Sequence, residues 1–377
     1  MSIIITSSFF SRLSRALIEK RRRRSLLRYH SVLFLGTDDV SSVTLTKLIS
    51  LRLSSSPAVS KLDIVTPADR PQGRGREMRS VPVMELAKKH LHGAVNSIVQ
   101  VPYGLRDLSE WKDGIASLHA MKPDVGVVVS FGYFLPPVLL DVFRKQFAIN
   151  MHPSLLPRHR GAAPIPHAIL AGDTETGVSI IDVDRNAFDS GAILLQQGGV
   201  RIGDSETSSS LSRRLSELGA DSVEKVLLDL DGYRERRTPQ LVNGATKAPK
   251  LKPEHGLVTL LSLESDSLSL ESDSGSSSQL LRKWRAFEDS IGLYCFFGES
   301  NSQKRLKLIE LSALPPDWCP KGQHSIGSIV FDPASKILGL LTSKGVWIRL
   351  VKVQPEFKRI MTGEEFGRGL KGSLQIN

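Results

Sequence analysis

The chain has 377 residues, 40% of them hydrophobic and 24% charged, with a formal net charge of +11. That length exceeds one ordinary domain, so two globular domains are expected. No run of about 18 apolar residues is present to span a bilayer, so the protein is expected to be soluble or peripheral, with no membrane partner. The only cysteines, Cys295 and Cys319, match the spacing of neither a metal knuckle nor a redox pair. Both are expected to be buried, reduced thiols, and no metal site is expected.

Charge is unevenly placed. Residues 1–30 hold eight basic side chains (Arg12, Arg15, Lys20, Arg21, Arg22, Arg23, Arg24 and Arg28) against one acid, Glu19, which leaves +4 for the remainder. A Ser- and Arg-rich, acid-poor start fits a mitochondrial transit peptide, with cleavage expected near Tyr29–Ser31 and the matrix as destination. A nuclear signal or nucleic-acid arm at RRRR is the rival reading.

From Val32 the apolar run VLFLGT followed by DDVSSVTLTKLIS reads as a strand entering a capped helix. LDIVT (62–66), NSIVQV (96–101), DVGVVVSF (124–131) and FAINMH (147–152) are further strand candidates, with helical patterns such as VPVMELAKKHL between them. Continuous apolar strands alternating with helices predict a Rossmann-like, doubly wound, mostly parallel α/β sheet over residues 31–233. Such sheets bind ligands beyond the carboxyl ends of their strands. A helix near 207–231 closes this unit, and a basic, Pro-containing linker is placed at 234–256. Short apolar runs after residue 280 (LYCFFG, LKLIELSAL, GSIVF, ILGLLT, VWIRLVKV) predict a small β-barrel within 257–377. That domain is interrupted by an acidic, Ser-rich stretch at 262–278 that is read as a disordered insertion.

The densest polar cluster follows the fifth strand: Asn150, His152, Pro153 and Ser154, then LLPRHRGAAPI, with Asp189 later in NAFDSG. A histidine moves protons near neutral pH, a carboxylate orients it, and an amide donates to a developing oxyanion. Those are the parts of an acyl transfer. Singly, each has a plainer explanation: Asn150 as a turn cap, His152 as a satisfied strand-end residue, Asp189 as a turn residue. Ser154, beside Pro153, reads as a ligand contact rather than a nucleophile.

The string INMHPSLLPRHRGAAPI (149–165) and the block TGVSIIDVDRNAFDSGAIL (176–194) resemble the signatures of the folate-dependent formyltransferases. The resemblance implies that Asn150, His152 and Asp189 are catalytic. It also implies that 10-formyltetrahydrofolate is the formyl donor, and that Ser154, Leu155, Leu156 and Pro157 line its pocket with Phe131, Gly132 and Tyr133 of SFGYFLP. Several branches of the family share HPSLLP, including glycinamide ribonucleotide formyltransferase and the formyl-folate hydrolase domain of a larger dehydrogenase, so the acceptor is read elsewhere.

Three features resemble the branch that formylates initiator methionyl-tRNA, which includes mitochondrial members. PADRPQGRGRE (67–77) is similar to its basic insertion loop, where Arg70, Arg74 and Arg76 would engage phosphates. ATKAPKLKPEHG (245–256) is similar to its inter-domain junction, with Lys247, Lys250 and Lys252 facing RNA. The C-terminal domain would be OB-like, a fold that commonly binds nucleic acid. The chain is expected to be a monomer. It departs from the family's usual pattern at LGTDD, where a proline ordinarily follows GT.

Overall fold

A computed structural model of the protein describes residues 30–55, 58–72, 77–144, 147–241, 243–265, 279–298, 302–342 and 345–377. The transit-peptide reading of residues 1–30 therefore lies outside the described residues, apart from His30.

Strand β1 (His30–Gly36) leads through helix α1 (Asp39–Leu53) to β2 (Val59–Pro67) and a short ribbon, β3 (Arg70–Gln72) and β4 (Glu77–Arg79). Then come α2 (Pro82–Lys89), β5 (Ser97–Val101), α3 (Lys112–Met121), β6 (Val125–Val129), α4 (Pro137–Leu140) and β7 (Ala148–His152). They are followed by α5 (Pro164–Leu170), β8 (Glu175–Asp182), β9 (Ile193–Arg201), α6 (Ser208–Leu228) and α7 (Leu230–Glu235).

The seven-stranded sheet has the order β5-β2-β1-β6-β7-β8-β9. It is parallel from β5 to β7, and β8 joins antiparallel with Ser179 opposite His152. Strand β1 explains the layering. Its residues Val32, Leu33, Phe34 and Leu35 are all fully buried, because successive side chains leave opposite faces of the pleat. Val32 and Phe34 join one core with Ile64, Val127 and Ile149, whereas Leu33 and Leu35 join another with Val65, Val128 and Phe143. A strand buried on both faces needs a continuous apolar run, which is what the sequence supplies. Between β1 and β6 the strand order reverses direction, and such a switch point opens a crevice beyond the carboxyl ends.

The C-terminal elements are α8 (Leu260–Ser265), α9 (Gln279–Phe287), β10 (Leu293–Phe297), β11 (Lys304–Ala313), β12 (Ser328–Asp332) and β13 (Ile337–Leu341). After them run β14 (Trp347–Pro355), β15 (Met361–Thr362), α10 (Gly363–Arg368) and β16 (Leu374–Gln375). The strands form an antiparallel sheet ordered β10-β11-β14-β13-β12-β16, with β15 beside β14. A bridge between Phe297 and Ile376 joins its two ends, and Asn377 N donates to Phe296 O at 3.0 Å. The sheet thus closes into the small barrel that the short apolar runs predict.

The described residues form two compact units that no single cut separates: residues up to 157, 178–197 and 216–243 make the first, and 158–177, 198–215 and 244–377 the second. Backbone pairing explains part of the second. Arg160 bridges Lys247, and Ala248 N donates to Arg160 O at 2.6 Å. Two expectations are corrected. Residues 262–265 of the Ser-rich stretch lie in helix α8, not in a disordered insertion, while 266–278 fall outside the described residues. Cys295 is buried, which pushes its thiol up to about 12, but Cys319 is exposed because it sits in the polar β11–β12 connection rather than in a strand.

Candidate active site

The site is built at the carboxyl ends of β6 and β7. Asn150 and His152 lie on β7 two residues apart and therefore on one face of the strand. His152 is 4% exposed and Asn150 half-buried. Asp189 comes from the β8–β9 loop, and its Oδ1 accepts a hydrogen bond from Asn150 Nδ2 at 3.2 Å. The same oxygen lies 3.6 Å from His152 Nδ1, ion-pair range but beyond a direct hydrogen bond. The three residues predicted as catalytic are thus brought together in one largely buried cluster.

The loop that carries Asp189 is tightly specified. Asp189 has φ +54°, the left-handed region that Asp and Asn tolerate better than most residues. Gln240 Nε2 donates to both Asp189 O and Gly191 O at 2.8 Å. Asp184 Oδ1 accepts from Asn186 N at 2.7 Å and from Ala187 N at 3.1 Å. At Gly191 a Cβ would stand 1.7 Å from Asp182 O, so only glycine permits this approach. Asp-Ser-Gly is therefore a turn, as its composition suggests, and the turn is what aims the carboxylate at β7.

Beyond β6, Ser130 has φ +46° and Gly132 φ +82°, turning the chain so that Phe131 is buried and Gly132 exposed. The Phe131 and Tyr133 rings lie 5.2 Å apart. This segment is clasped to the β1–α1 connection. Thr37 Oγ1 donates to Phe131 O at 3.0 Å, and the Ser130 hydroxyl donates to Asp38 Oδ2. Asp38 is also the N-cap of α1, accepting from Ser41 N at 3.1 Å and Ser41 Oγ at 3.0 Å. The Asp38 carboxylate thus ties the two sides of the switch point together.

Of the HPSLLP residues, Leu155 and Pro157 are half-buried, whereas Leu156 is buried with its N–H on Ser179 Oγ at 3.1 Å and its carbonyl accepting from Gln196 Nε2 at 2.6 Å. Ser154 is placed in the interior. It is wholly buried, its N–H bonds His152 O at 2.9 Å and its carbonyl accepts from Ser179 Oγ at 2.7 Å. Those backbone bonds hold the turn that follows β7. Ser179, Gln240, Asp38 and Ser130 are the supporting residues that the sequence reading missed; only Asp38 carried a signal, as a departure from the family pattern.

The basic residues are less concentrated. Arg70 is exposed on β3, paired across the ribbon with Arg79, while Arg74 and Arg76 lie outside the described residues. Lys247, Lys250 and Lys252 are exposed, and Lys252 Nζ is 3.7 Å from Glu254 Oε1. Among the described residues no helix is long and apolar enough to cross a membrane, and no group of three or more His, Cys, Asp or Glu is arranged to hold a metal ion.

Comparison with known proteins accords with this geometry. Residues 6–227 match the formyl transferase family and residues 274–371 the formyl transferase C-terminal domain. The chain is 38% identical to the methionyl-tRNA formyltransferase of Idiomarina loihiensis over 227 residues, 60% of this chain and 66% of that protein. It is 31% identical to the methionyl-tRNA formyltransferase of Syntrophus aciditrophicus over 341 residues, 90% of this chain and 96% of that protein. Its fold is like that of HypX from Aquifex aeolicus, solved in complex with tetrahydrofolic acid, at a TM-score of 0.52 and 16% identity over 92% of this chain and 48% of that one. Two family matches that together span most of the chain, and a relative matched over nearly its full length, show that the chain belongs to the formyl transferase family.

Proposed function

We propose that the protein transfers a formyl group from 10-formyltetrahydrofolate to the α-amino group of initiator methionyl-tRNA, in the mitochondrial matrix. The observation that carries the chemistry is the Asn150–Asp189–His152 cluster, with Asp189 Oδ1 3.2 Å from Asn150 Nδ2 and 3.6 Å from His152 Nδ1. The acceptor is supported by the relatives' activity over nearly the whole chain and by the exposed Arg70, Lys247, Lys250 and Lys252.

The segment after β6 suits a folate. Buried Phe131 and Leu135 and the Tyr133 ring give an apolar wall, and at Gly132 nothing stands within 4 Å of a Cβ position, which leaves room for a flat ring. In the transfer, the neutral amine nitrogen bonds to the formyl carbon and the carbonyl electron pair moves onto oxygen. An Asn amide has two N–H donors, so Asn150 can hold Asp189 with one and donate to the oxyanion with the other. His152, protonated, supplies the second donor, and Asp189 favours that charge and orientation. Collapse breaks the bond from carbon to N10 and the electron pair leaves with N10; His152 gives N10 its own proton and, then neutral, takes up the one that the attacking nitrogen relinquishes. The products are a formamide and tetrahydrofolate, and no oxidant or reductant is consumed.

The test offers the protein 10-formyltetrahydrofolate with methionyl-tRNA, glycinamide ribonucleotide or water as separate acceptors. Formylmethionyl-tRNA as the dominant product supports the reading; preference for the small amine or for hydrolysis overturns it. For location, residues 1–30 are fused to a fluorescent protein. Mitochondrial fluorescence is expected, and a cytosolic or nuclear signal contradicts it.

A further inference from the structure

Beside the proposed catalytic cluster stands an aromatic pair that the transfer chemistry does not use. The rings of Phe134 and Phe188 meet edge to face, with centroids 5.1 Å apart and planes at 71°. Phe188 is nevertheless 61% exposed, among the most exposed large apolar residues described in the first unit. A ring so open gains little from burial. Fold stability alone therefore gives no reason for a phenylalanine here.

Position gives one. Phe188 immediately precedes Asp189, so their Cα atoms are about 3.8 Å apart. Phe134 follows Tyr133 in the segment that walls the proposed folate site. The pair thus joins the segment after β6 to the loop that supplies the carboxylate, one residue before that carboxylate. That loop is held by the bonds from Gln240 and to Asp184, so Phe188 is presented by a fixed backbone. A rigid, solvated aromatic platform beside a reaction centre is pre-formed for an apolar group of the substrate.

We infer that Phe134 and Phe188 form the subsite for the acceptor's amino-acid side chain and favour the unbranched thioether of methionine. This rests on the reading above that an aminoacyl-tRNA is the acceptor. When the α-amine lies against Asn150, His152 and Asp189, the side chain departs from the carbon next to that amine and is the nearest apolar group to the ring pair. The terminal nucleobase lies farther off, beyond the ester and the ribose. A methionine side chain bends through three rotatable bonds and places its polarizable sulfur about 5 Å from a ring at favourable energy. A β-branched side chain lacks that flexibility, and the glutamine side chain, equally flexible, ends in a polar amide without the sulfur.

The experiment charges one initiator tRNA with methionine or with glutamine and compares kcat/KM for formyl transfer by the wild type, Phe188→Ala, Phe134→Ala and Phe188→Leu, with melting temperatures measured in parallel. Each alanine variant is expected to lower the rate on methionyl-tRNA about 3- to 10-fold, with the glutaminyl-tRNA rate nearly unchanged, so that the preference for methionine falls. Phe188→Leu, apolar but without a ring, is expected to fall between. Equal losses on both charged tRNAs would overturn the assignment, because they mark a general role or a contact to the terminal base. Wild-type protein that formylates neither tRNA would instead remove the aminoacyl-tRNA reading itself, and this inference with it.

Discussion

Asp189 and Asn150 are 39 positions apart in the chain and 3.2 Å apart in the fold, joined through one carboxylate oxygen and one amide. Their bond ties the β8–β9 loop to strand β7. Asn150 lies on a strand whose ladder is made by backbone groups, and Asp189 on a turn fixed by Gln240 and by the glycine at 191. The aspartate that makes the contact is held in the left-handed region.

Asp189→Asn separates chemistry from structure. Asparagine tolerates φ +54° about as well as aspartate and nearly preserves shape, so the turn survives, whereas alanine there would add backbone strain. Loss of the charge beside His152 is expected to lower kcat by about 10²-fold or more with the melting temperature unchanged. Wild-type turnover in a folded variant would remove Asp189 from the catalytic set.

Asp38 tests the clasp across the switch point. Asparagine is as good an N-cap as aspartate, so Asp38→Asn keeps α1 capped while weakening the bond from the Ser130 hydroxyl. A several-fold rise in KM for the formyl donor with kcat little changed is expected, and Ser130→Ala is expected to match it. Asp38→Ala loses the cap as well and is expected to cost about 1 kcal/mol of stability. Unchanged donor KM in both Asp38→Asn and Ser130→Ala would reduce the clasp to a local packing detail.

The folding stability should carry a pH signature from Asp182. Burial raises its carboxyl to about 6, partly offset by Arg237, whose Nε lies 4.0 Å away. The unfolded group titrates near 4. Between those values the folded chain holds a proton that the unfolded chain has released, so this group's contribution to stability is full below about 4 and is lost as pH rises toward 6. Asp182→Asn is expected to flatten that slope and to stabilise the protein at neutral pH by on the order of 1 kcal/mol after allowance for solvent screening. Denaturant melts of both proteins at several pH values measure it; an identical slope in the variant contradicts the assignment.

The proposed RNA contacts separate from the folate site by their salt dependence. Arg74→Ala is expected to weaken methionyl-tRNA binding and to lower the slope of log K against log salt by about 1, as loss of one phosphate contact does. Folate affinity should be unaffected. Equal loss for both ligands would give Arg74 a structural role instead.

What could be read from the sequence was whatever burial writes into periodicity. Strands β1, β2, β6 and β7 announce themselves as apolar runs because both sheet faces are covered, and the half-buried edge strand β5 carries a shorter run. The two-residue β15 and β16 and the exposed ribbon β3–β4 carry no such run and went unread. Segments 158–177 and 198–215 belong with the C-terminal residues through backbone pairing and packing, relationships that no local pattern encodes. In the site, residue chemistry marked Asn150, His152 and Asp189 as candidate parts of an acyl transfer, and the family resemblance is what favoured that reading over a plain turn or cap for each. The Asp38–Ser130 clasp joins residues 92 positions apart, and the Phe134–Phe188 pair joins two loops. Such contacts are properties of the fold, whereas the full burial of Ser154 follows from its neighbours' packing rather than from its own polarity.

The most direct measurement is single-turnover transfer of an isotopically labelled formyl group from 10-formyltetrahydrofolate, with the protein in excess over methionyl-tRNA and with wild type and Asp189→Asn compared at matched fold and temperature. The expected result is label on the methionyl α-amine of the tRNA at a rate about 10²-fold or more faster for wild type than for the variant. Label released as formate, label carried by a small amine in preference to the tRNA, or equal rates for the two proteins would contradict the account.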